Sequence, residues 1–183
     1  IYAYQEWGST KQNYEQMNNM TLPYQFQRPS IDKSVSILIS SLNTKAKYLK
    51  ECLDSIKSQE GLFNMEIVWI NDGSDIIHTS ILKKMLNQFE KTTRFTTIIY
   101  DENDVNKGIG YTLNKGIKMC SNEIIIKMDS DDIMISTRIQ KQYNFMLKNP
   151  NVKICGGQVQ MFDDNMNNRG VSNHPSITWD QYK

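Results

Sequence analysis

Short β-branched segments alternate with helix-like segments from residue 35 onwards, and no other feature of the sequence restricts the fold as strongly. Buried parallel strands favour short apolar runs, and such runs predict strands at 35–39, 67–70, 95–100 and 123–128. Apolar residues at helical spacing predict a helix after each strand, at 45–58, 81–89, 109–119 and 137–148. This alternation predicts an α/β fold with a mainly parallel sheet flanked by helices on both faces.

The composition divides the chain into two parts. Residues 1–30 are rich in Gln, Asn and Tyr, contain Pro23 and Pro29, and show no clean period, so we interpret them as an N-terminal extension. Residues 31–183 carry the alternating pattern and are predicted to form one domain. Within that domain, the segment 152–159 is predicted to be a fifth strand.

Charge and hydropathy limit the kinds of partner that the sequence suggests, and cysteine usage indicates a cellular location. Hydrophobic residues make up 39% of the chain and charged residues 22%, with a net charge of +1, as in ordinary globular proteins. The absence of a basic excess argues against a nucleic-acid partner, and no apolar run reaches the ~18–20 residues of a membrane span. The scattered cysteines indicate reduced thiols and therefore a cytoplasmic location: they are Cys52, Cys120 and Cys155.

The loop after the second predicted strand contains Asp72 and Gly73. Ligands of open α/β sheets bind at the carboxyl ends of the strands, so this loop is a candidate site. Gly73 permits a tight turn, and the carboxylate of Asp72 is expected to be free to accept a hydrogen bond. The plainer alternative is a turn whose Ser74 or Asp75 caps the next helix, and this loop taken alone favours that alternative.

Three carboxylates follow the fourth predicted strand, in the run Asp129-Ser130-Asp131-Asp132. At ~5 Å and an effective dielectric constant of about 20, each pair of carboxylates costs roughly 3 kcal/mol before screening. A fold tolerates such repulsion where a hard cation binds, and Mg²⁺ or Mn²⁺ takes oxygen ligands. Asp131 or Asp132 could instead cap the following helix, but a cap needs one carboxylate. The sequence therefore favours a ligand or metal site.

The third loop, Asn106-Lys107-Gly108-Ile109-Gly110, leads into a predicted helix. Two glycines before a helix could let the backbone approach a phosphate. They could equally form an ordinary helix entry, and the motif is too weak to separate the two interpretations.

Taken in order, these loops resemble the nucleotide-binding half of family 2 glycosyltransferases with the GT-A fold, over residues 35–164. The resemblance rests on several segments: Ser40-Ser41-Leu42-Asn43, the helix through 49–56 with Gln59, Asp72-Gly73-Ser74, Asn106-Lys107-Gly108 through Asn114-Lys115-Gly116, and Asp129-Ser130-Asp131-Asp132. It implies a GT-A domain. It also implies that Asp72 and Asp129 lie at neighbouring strand ends and open on one cleft.

The resemblance also assigns roles to individual residues. It implies nucleotide-sugar binding by Ser40, Ser41, Leu42, Asn43, Asp72, Asn106, Gly108, Asp129 and Ser130. Asp72 would accept the N3–H of uracil, which indicates a UDP-sugar donor. Asp131, with Asp129 beside it, would hold Mn²⁺ or Mg²⁺ at the diphosphate.

By the same resemblance, the expected reaction is inverting transfer of a hexosyl or N-acetylhexosaminyl group to a hydroxyl of a glycan or protein acceptor. Two residues depart from the family pattern: Leu113 stands where an Arg is common, and Ser40 where a Pro is common. No catalytic base is found, because Asp163 and Asp164 come too early in the chain. We therefore expect a domain truncated at its C-terminal acceptor-binding half and inactive alone.

Two other functions remain open. The chain could be a non-catalytic module that binds or senses a nucleotide-sugar. It could also be a sugar nucleotidyltransferase, although such enzymes carry a glycine-rich basic loop after the first strand and this chain has Ser40-Ser41-Leu42-Asn43 there. An exposed sheet edge would favour a homo-oligomer.

Overall fold

The computed structural model describes residues 33–93, 96–163 and 165–172. Its elements are β1 (Ser34–Ser41), α1 (Ala46–Lys57), β2 (Asn64–Asn71), α2 (Ile76–Thr92), β3 (Thr96–Glu102), α3 (Ile109–Ile117), β4 (Ile125–Asp129), α4 (Arg138–Lys148), β5 (Gln160–Phe162) and β6 (Asn168–Val171). The four predicted strands and their four helices are therefore confirmed. The predicted extension at 1–30 lies outside the described residues.

The first four strands form one parallel sheet in the order β3-β2-β1-β4. The chain adds β2 and β3 on one side of β1, and then returns to place β4 on the other side. The sheet therefore grows in one direction from β1 to β2 and β3, and in the opposite direction from β1 to β4. The switch point of the sheet lies between β1 and β4. In open sheets this switch point is where ligands bind, outside the carboxyl ends of the strands.

This strand order corrects one expectation. Asp72 follows β2 and Asp129 ends β4, and β1 lies between these two strands, so the two residues are not at neighbouring strand ends. The sequence gives the order of strands along the chain but not their order in the sheet. The side of β1 on which β4 pairs is decided by tertiary packing.

Successive side chains of a strand point to opposite faces of the sheet. Each face carries apolar side chains that pack against helices. On one face, fully buried Ile37, Ile39 and Trp69 belong to the large apolar core shared with α1, α2 and α4. On the other face, Leu38 belongs to a smaller cluster against which Leu113 of α3 packs. The residue that departs from the family pattern, Leu113, is therefore part of the apolar packing.

The predicted fifth strand at 152–159 is wrong. That segment is irregular, and the strand begins only at Gln160, where β5 pairs antiparallel with β6. Two consecutive glycines interrupt the segment, and Ile154 is 83% exposed. A β-branched segment forms a strand only where it can pair with another strand and pack against an apolar layer. Among the described residues, the segment 152–159 has neither a partner strand nor such a layer.

Candidate functional site

An open cavity of about 330 Å³ lies at the carboxyl ends of β1, β2 and β4. It is lined by Ser40, Ser41, Leu42, Thr44, Asp72, Asn106, Gly108, Ile109, Asp129, Ser130 and Asp131. Every residue assigned by resemblance lines it except Asn43. Thr44 and Ile109 also line it, although the resemblance assigned neither of them, and Ile109 belongs to the third candidate loop. Asp72 and Asp129 thus open on one cleft, as expected, although β1 separates their strands.

A second cavity, of about 430 Å³, lies at the opposite end of the sheet. It is lined by residues at the amino ends of the strands and by Ser121 and Asn122, and none of the predicted site residues reaches it. Although it is larger, it lies away from the switch point and from the carboxylate loops. The first cavity is therefore the better candidate.

The loop after β1 is held by contacts with two other loops. The hydroxyls of Thr44 and Ser130 lie 2.8 Å apart, which joins this loop to the acidic loop after β4. Asn43 has a left-handed backbone, with φ 51°. Its N–H donates to Ser74 Oγ at 2.9 Å, and its Oδ1 accepts from the N–H of Asp75 at 2.9 Å. In this structure Asn43 joins loops and does not line the cavity.

The turn after β2 contains the helix cap that the sequence suggested. Asp75 Oδ1 accepts from the N–H groups of Ile77 and His78, at 3.0 and 2.9 Å, and so caps α2. The capping role is filled by Asp75 alone. Asp72 is therefore not needed for starting the helix.

The expectation that the Asp72 carboxylate is free is wrong. Asp72 is only 5% exposed. Its Oδ1 accepts from Asn103 Nδ2 at 2.8 Å and from the N–H of Lys107 at 2.9 Å, and its Oδ2 accepts from the N–H of Gly108 at 3.0 Å. A carboxylate has about four acceptor positions. The sequence could not reveal these partners, because they come from a loop more than thirty residues away that folds back over β2.

These hydrogen bonds also fix the charge of Asp72. Burial raises the pKa of Asp72, but hydrogen bonds from the Lys107 N–H and the Asn103 side chain, together with those from Thr112 and Gly108, outweigh that effect. The net result is a pKa below the usual range of an aspartic acid. Asp72 is therefore ionised at neutral pH.

The loop carrying Asn106 and Gly108 approaches β2 closely because residue 73 is a glycine. A Cβ at Gly73 would lie 2.3 Å from the carbonyl carbon of Val105 and 2.5 Å from the nitrogen of Asn106. Gly73 also has φ +74°. The N–H groups of Lys107 and Gly108 point at Asp72. For these two groups, the structure favours the helix-entry interpretation over phosphate binding.

Lys127 and Arg138 are positively charged neighbours of the acidic loop after β4. Lys127 Nζ contacts Asp129 Oδ1 at 2.5 Å. Partial burial, and then the charges of Asp129 and Asp131, raise the pKa of Asp132 above its ordinary value, although much of the residue's surface remains exposed. Helix α4 starts well beyond this loop, with Thr137 at its cap position. The alternative in which Asp131 or Asp132 caps that helix is therefore wrong.

The donor set suits a hard divalent cation only in part. Asp129 and Asp131 both line the cavity and offer carboxylate oxygens, which Mg²⁺ and Mn²⁺ accept as ligands. Over the described ranges, no group of three acidic, histidine or cysteine side chains is arranged to hold an ion by itself. A cation here would thus need further oxygen ligands, of the kind that a diphosphate supplies.

Several residues near the site were not identified from the sequence. Asn103 binds Asp72, and Arg138 donates from Nη2 to the carbonyl oxygen of Lys127 at 3.0 Å, on the outer edge of β4. Cys52 is fully buried under the acidic loop, and burial raises the pKa of its thiol to about 12. Of these, only Asn103 carried a usable signal, since it directly follows a strand of the parallel sheet.

None of the helices that the structure describes is both long enough and apolar enough to cross a membrane.

Comparison with known proteins gives a family match over most of the chain. The family model described as Glycosyl transferase family 2 matches residues 36–183. The amylovoran biosynthesis glycosyltransferase AmsE of Erwinia amylovora is 32% identical over 130 residues, which are 70% of this chain and 46% of the relative. The UDP-Gal:alpha-D-GlcNAc-diphosphoundecaprenol beta-1,3-galactosyltransferase of Escherichia coli is 29% identical, over 68% of this chain and 42% of the relative. The chain spans about half the length of these curated relatives.

Solved structures of similar fold include two with nucleotide-sugars. S. aureus TarS 1-349 in complex with UDP-GlcNAc matches with a TM-score of 0.52 and 22% identity, over 64% of this chain and 32% of that one. The mannosyltransferase PcManGT from Pyrobaculum calidifontis, in complex with GDP-Man and Mn²⁺, matches with a TM-score of 0.55 and 20% identity, over 69% of this chain and 34% of that one. At these identities the likeness shows the shared GT-A fold.

Proposed function

The chain belongs to glycosyltransferase family 2, and from this premise we propose that it binds a UDP-sugar donor together with a divalent metal ion. One observation carries the proposal: a single cavity at the switch point of the sheet gathers Asp72, Asp129 and Asp131 from two separate loops. An anionic ligand would be repelled by three carboxylates alone. A base that donates to Asp72 and a cation beside Asp131 remove that conflict.

Recognition of uracil is assigned to the carboxylate of Asp72, which lines the cavity. Oδ1 already accepts from Asn103 and Lys107, Oδ2 accepts from Gly108, and Thr112 also donates to this carboxylate, so a donor from the base would share an oxygen with one of these groups. The N3–H of uracil could donate there, whereas adenine presents an acceptor on the corresponding edge. Ser40, Ser41 and Leu42 would form the wall on the other side of the base and ribose. The TarS complex with UDP-GlcNAc supports a uridine donor.

Metal binding is assigned to Asp131, with Asp129 beside it. Bound there, Mn²⁺ or Mg²⁺ would act as a Lewis acid that stabilises the diphosphate leaving group. The PcManGT complex with Mn²⁺ supports the use of a divalent ion in this fold. Lys127, which contacts Asp129, offers a second positive charge at the same carboxylate.

The full reaction is proposed to be inverting transfer of a sugar to a hydroxyl of a glycan or protein acceptor. Within the described part of the chain, the carboxylates that line the cavity are those already assigned to donor and metal. Asp163 is engaged elsewhere: it accepts from Asn165, Asn167 and Arg169 in the turn between β5 and β6. Asp164 lies outside the described residues. We therefore propose that the 183-residue chain binds the donor but transfers it poorly.

Calorimetric titration tests the proposal. UDP, UDP-GlcNAc, GDP-mannose and ADP are titrated into the chain with Mn²⁺ and then with a chelator. We expect the uridine nucleotides to bind best and to lose most of their affinity without the metal. Equal binding of all four ligands, or no binding of any of them, would overturn the proposal.

A further inference from the structure

We propose that Asn103 is a positioning residue for nucleotide recognition: its side chain holds Asp72, and Asp72 in turn holds the loop Asn106–Gly108 as one wall of the cavity. We call Asn103, Asp72 and the N–H groups of Lys107 and Gly108 the loop clamp. The part of the inference that concerns the nucleotide rests on the proposed function. The clamp itself can be tested without any ligand.

The orientation of the Asn103 amide is dictated by its two charged neighbours. Asn103 is 8% exposed. Its Nδ2 donates to Asp72 Oδ1 at 2.8 Å, and its Oδ1 accepts from Lys115 Nζ at 3.0 Å. A carboxylate only accepts and an ammonium only donates, so the reversed amide would lose both hydrogen bonds. The side chain is therefore fixed in one orientation.

Asn103 also ties three elements together. Its backbone N–H donates to the carbonyl oxygen of Asn71 at 2.8 Å, which extends the pairing of β3 with β2. Its Nδ2 also donates to Thr112 Oγ1 at 3.1 Å, and Thr112 is fully buried on α3. Lys115 of the same helix pairs with Asp101 at 2.9 Å. Asn103 thus sits where β2, β3 and α3 meet, directly behind Asp72.

The loop depends on Asp72 for its position. Both consecutive N–H groups, of Lys107 and Gly108, donate to the Asp72 carboxylate. Asn106 and Gly108 line the cavity. If Asn103 no longer donates, Asp72 loses one of its two side-chain partners, and Thr112, the other, loses the hydrogen bond that it accepts from Asn103. The carboxylate is then less firmly held as the acceptor of the two N–H groups. The cavity wall should then move although no cavity-lining residue has been changed.

Asn103→Asp is the first test variant, because it keeps the shape but replaces the donor with an acceptor facing Asp72. Asn103→Ser, which shortens the side chain without adding charge, is the second variant in case the first does not fold. Asn144→Asp, the same replacement on the exposed surface of α4, is the matched control. Hydrogen exchange at the amides of Lys107 and Gly108 is measured without nucleotide, in the whole 183-residue chain.

We expect both Asn103 variants to raise the exchange rate of these amides by about tenfold or more, and Asn144→Asp to leave it unchanged. Affinity for UDP should fall by about tenfold, while affinity for pyrophosphate with Mn²⁺ stays constant. A general loss of stability would lower the affinity for both ligands alike. A loss of affinity for UDP alone therefore identifies a positioning role of Asn103 in recognition of the nucleotide base.

Unchanged exchange in the Asn103 variants would overturn the clamp. Faster exchange with unchanged UDP affinity would overturn the positioning role. If the wild-type chain binds no nucleotide at all, faster exchange in the variants still supports the clamp, and the proposed function is what fails.

Discussion

Ser40 and Asp129 are register partners on the adjacent parallel strands β1 and β4, so their side chains leave the sheet side by side at its carboxyl edge. Ser41, the next residue, is the register partner of Asn71 on β2, directly before Asp72. The end of β1 therefore lies between the residues assigned to the base and those assigned to the metal. This arrangement makes several properties of the chain testable.

Replacing Asp131 with Ala should weaken metal-dependent binding of UDP. The carboxylate is one of two in the cavity assigned to the cation, so we expect the Mn²⁺-dependent part of the affinity to fall by at least tenfold, on the order of 1.4 kcal/mol or more. Calorimetry with Mn²⁺ and with a chelator measures it. Asp54→Ala, on the exposed side of α1 where Asp54 pairs with Lys50, is the control and should bind like the wild type. Unchanged UDP affinity in Asp131→Ala would remove the metal role from this residue.

Replacing Asp72 with Asn should reduce the preference for uridine nucleotides. Asn places an NH₂ donor where one carboxylate oxygen of Asp72 accepts from N–H groups, so donors would face each other without an acceptor. An unpaired buried polar group costs ~1–3 kcal/mol. The ratio of UDP to ADP affinity should therefore fall roughly ten- to a hundredfold. Asp75→Asn is a matched control, because Asn is as good a helix cap as Asp and residue 75 does not line the cavity. A preference kept in Asp72→Asn would show that the base is read elsewhere.

Replacing Gly73 with Ala should destabilise the protein, because Ala at φ +74° is strained and its Cβ would overlap the backbone of Val105 and Asn106. We expect a loss of about 2–4 kcal/mol in the free energy of unfolding, measured by denaturant titration. Gly110→Ala is the comparison: it lies in α3, and nothing is within 4 Å of its Cβ position. That change should be neutral or stabilising by up to ~1 kcal/mol. Equal effects of the two substitutions would contradict the close approach of the loop to Gly73.

The stability of the protein should depend on the ionisation of Glu66. Burial raises the pKa of Glu66, but hydrogen bonds from Ser121 and Ser36 outweigh it and hold the pKa below its usual range. Because the folded pKa is lowered, the contribution is complete above the unfolded pKa of about 4.3 and is lost as the pH falls through the folded value.

Glu66→Gln should therefore cost ~1–2 kcal/mol of unfolding free energy at pH 7, and the difference from wild type should shrink as the pH falls from about 5 to 3. Urea unfolding at a series of pH values measures this. Glu90→Gln, on the exposed surface of α2, is the control and should show no such convergence. A difference that stays constant with pH would count against the ionised hydrogen-bond network.

The 183-residue chain alone should release UDP from UDP-sugars slowly and without dependence on an acceptor. General-base assistance is worth ~10²–10⁴ in rate, and positioning an acceptor is worth more. A UDP-release assay with a panel of glycan and protein acceptors measures it, alongside a longer chain of the same protein. Robust acceptor-dependent turnover by the 183-residue chain would show that a base has been overlooked, and Asp164 would be the first residue to replace.

The sequence by itself determined the layers of the fold and most of the cavity. Strand and helix periodicity are local properties, so runs such as Val35–Ile39 identify a strand without knowledge of its partners. A parallel sheet then brings the carboxyl ends of all its strands to one edge. For this reason Ser40, Asp72 and Asp129, which are far apart in sequence, line one cavity. The helix cap is equally local: the sequence offered Ser74 or Asp75 for it, and the structure has Asp75.

Tertiary structure alone decided which polar atoms of the site already have hydrogen-bond partners within the protein. The partners of Asp72 come from Asn103, Lys107 and Gly108, and the sequence offers no periodicity that connects these residues to β2. The place of β4 beside β1, and the failure of 152–159 to form a strand, depend in the same way on what packs against each segment. Hydrogen bonds and packing between distant segments depend on the relative position of whole elements. That position is a property of the assembled fold and not of any one stretch of chain.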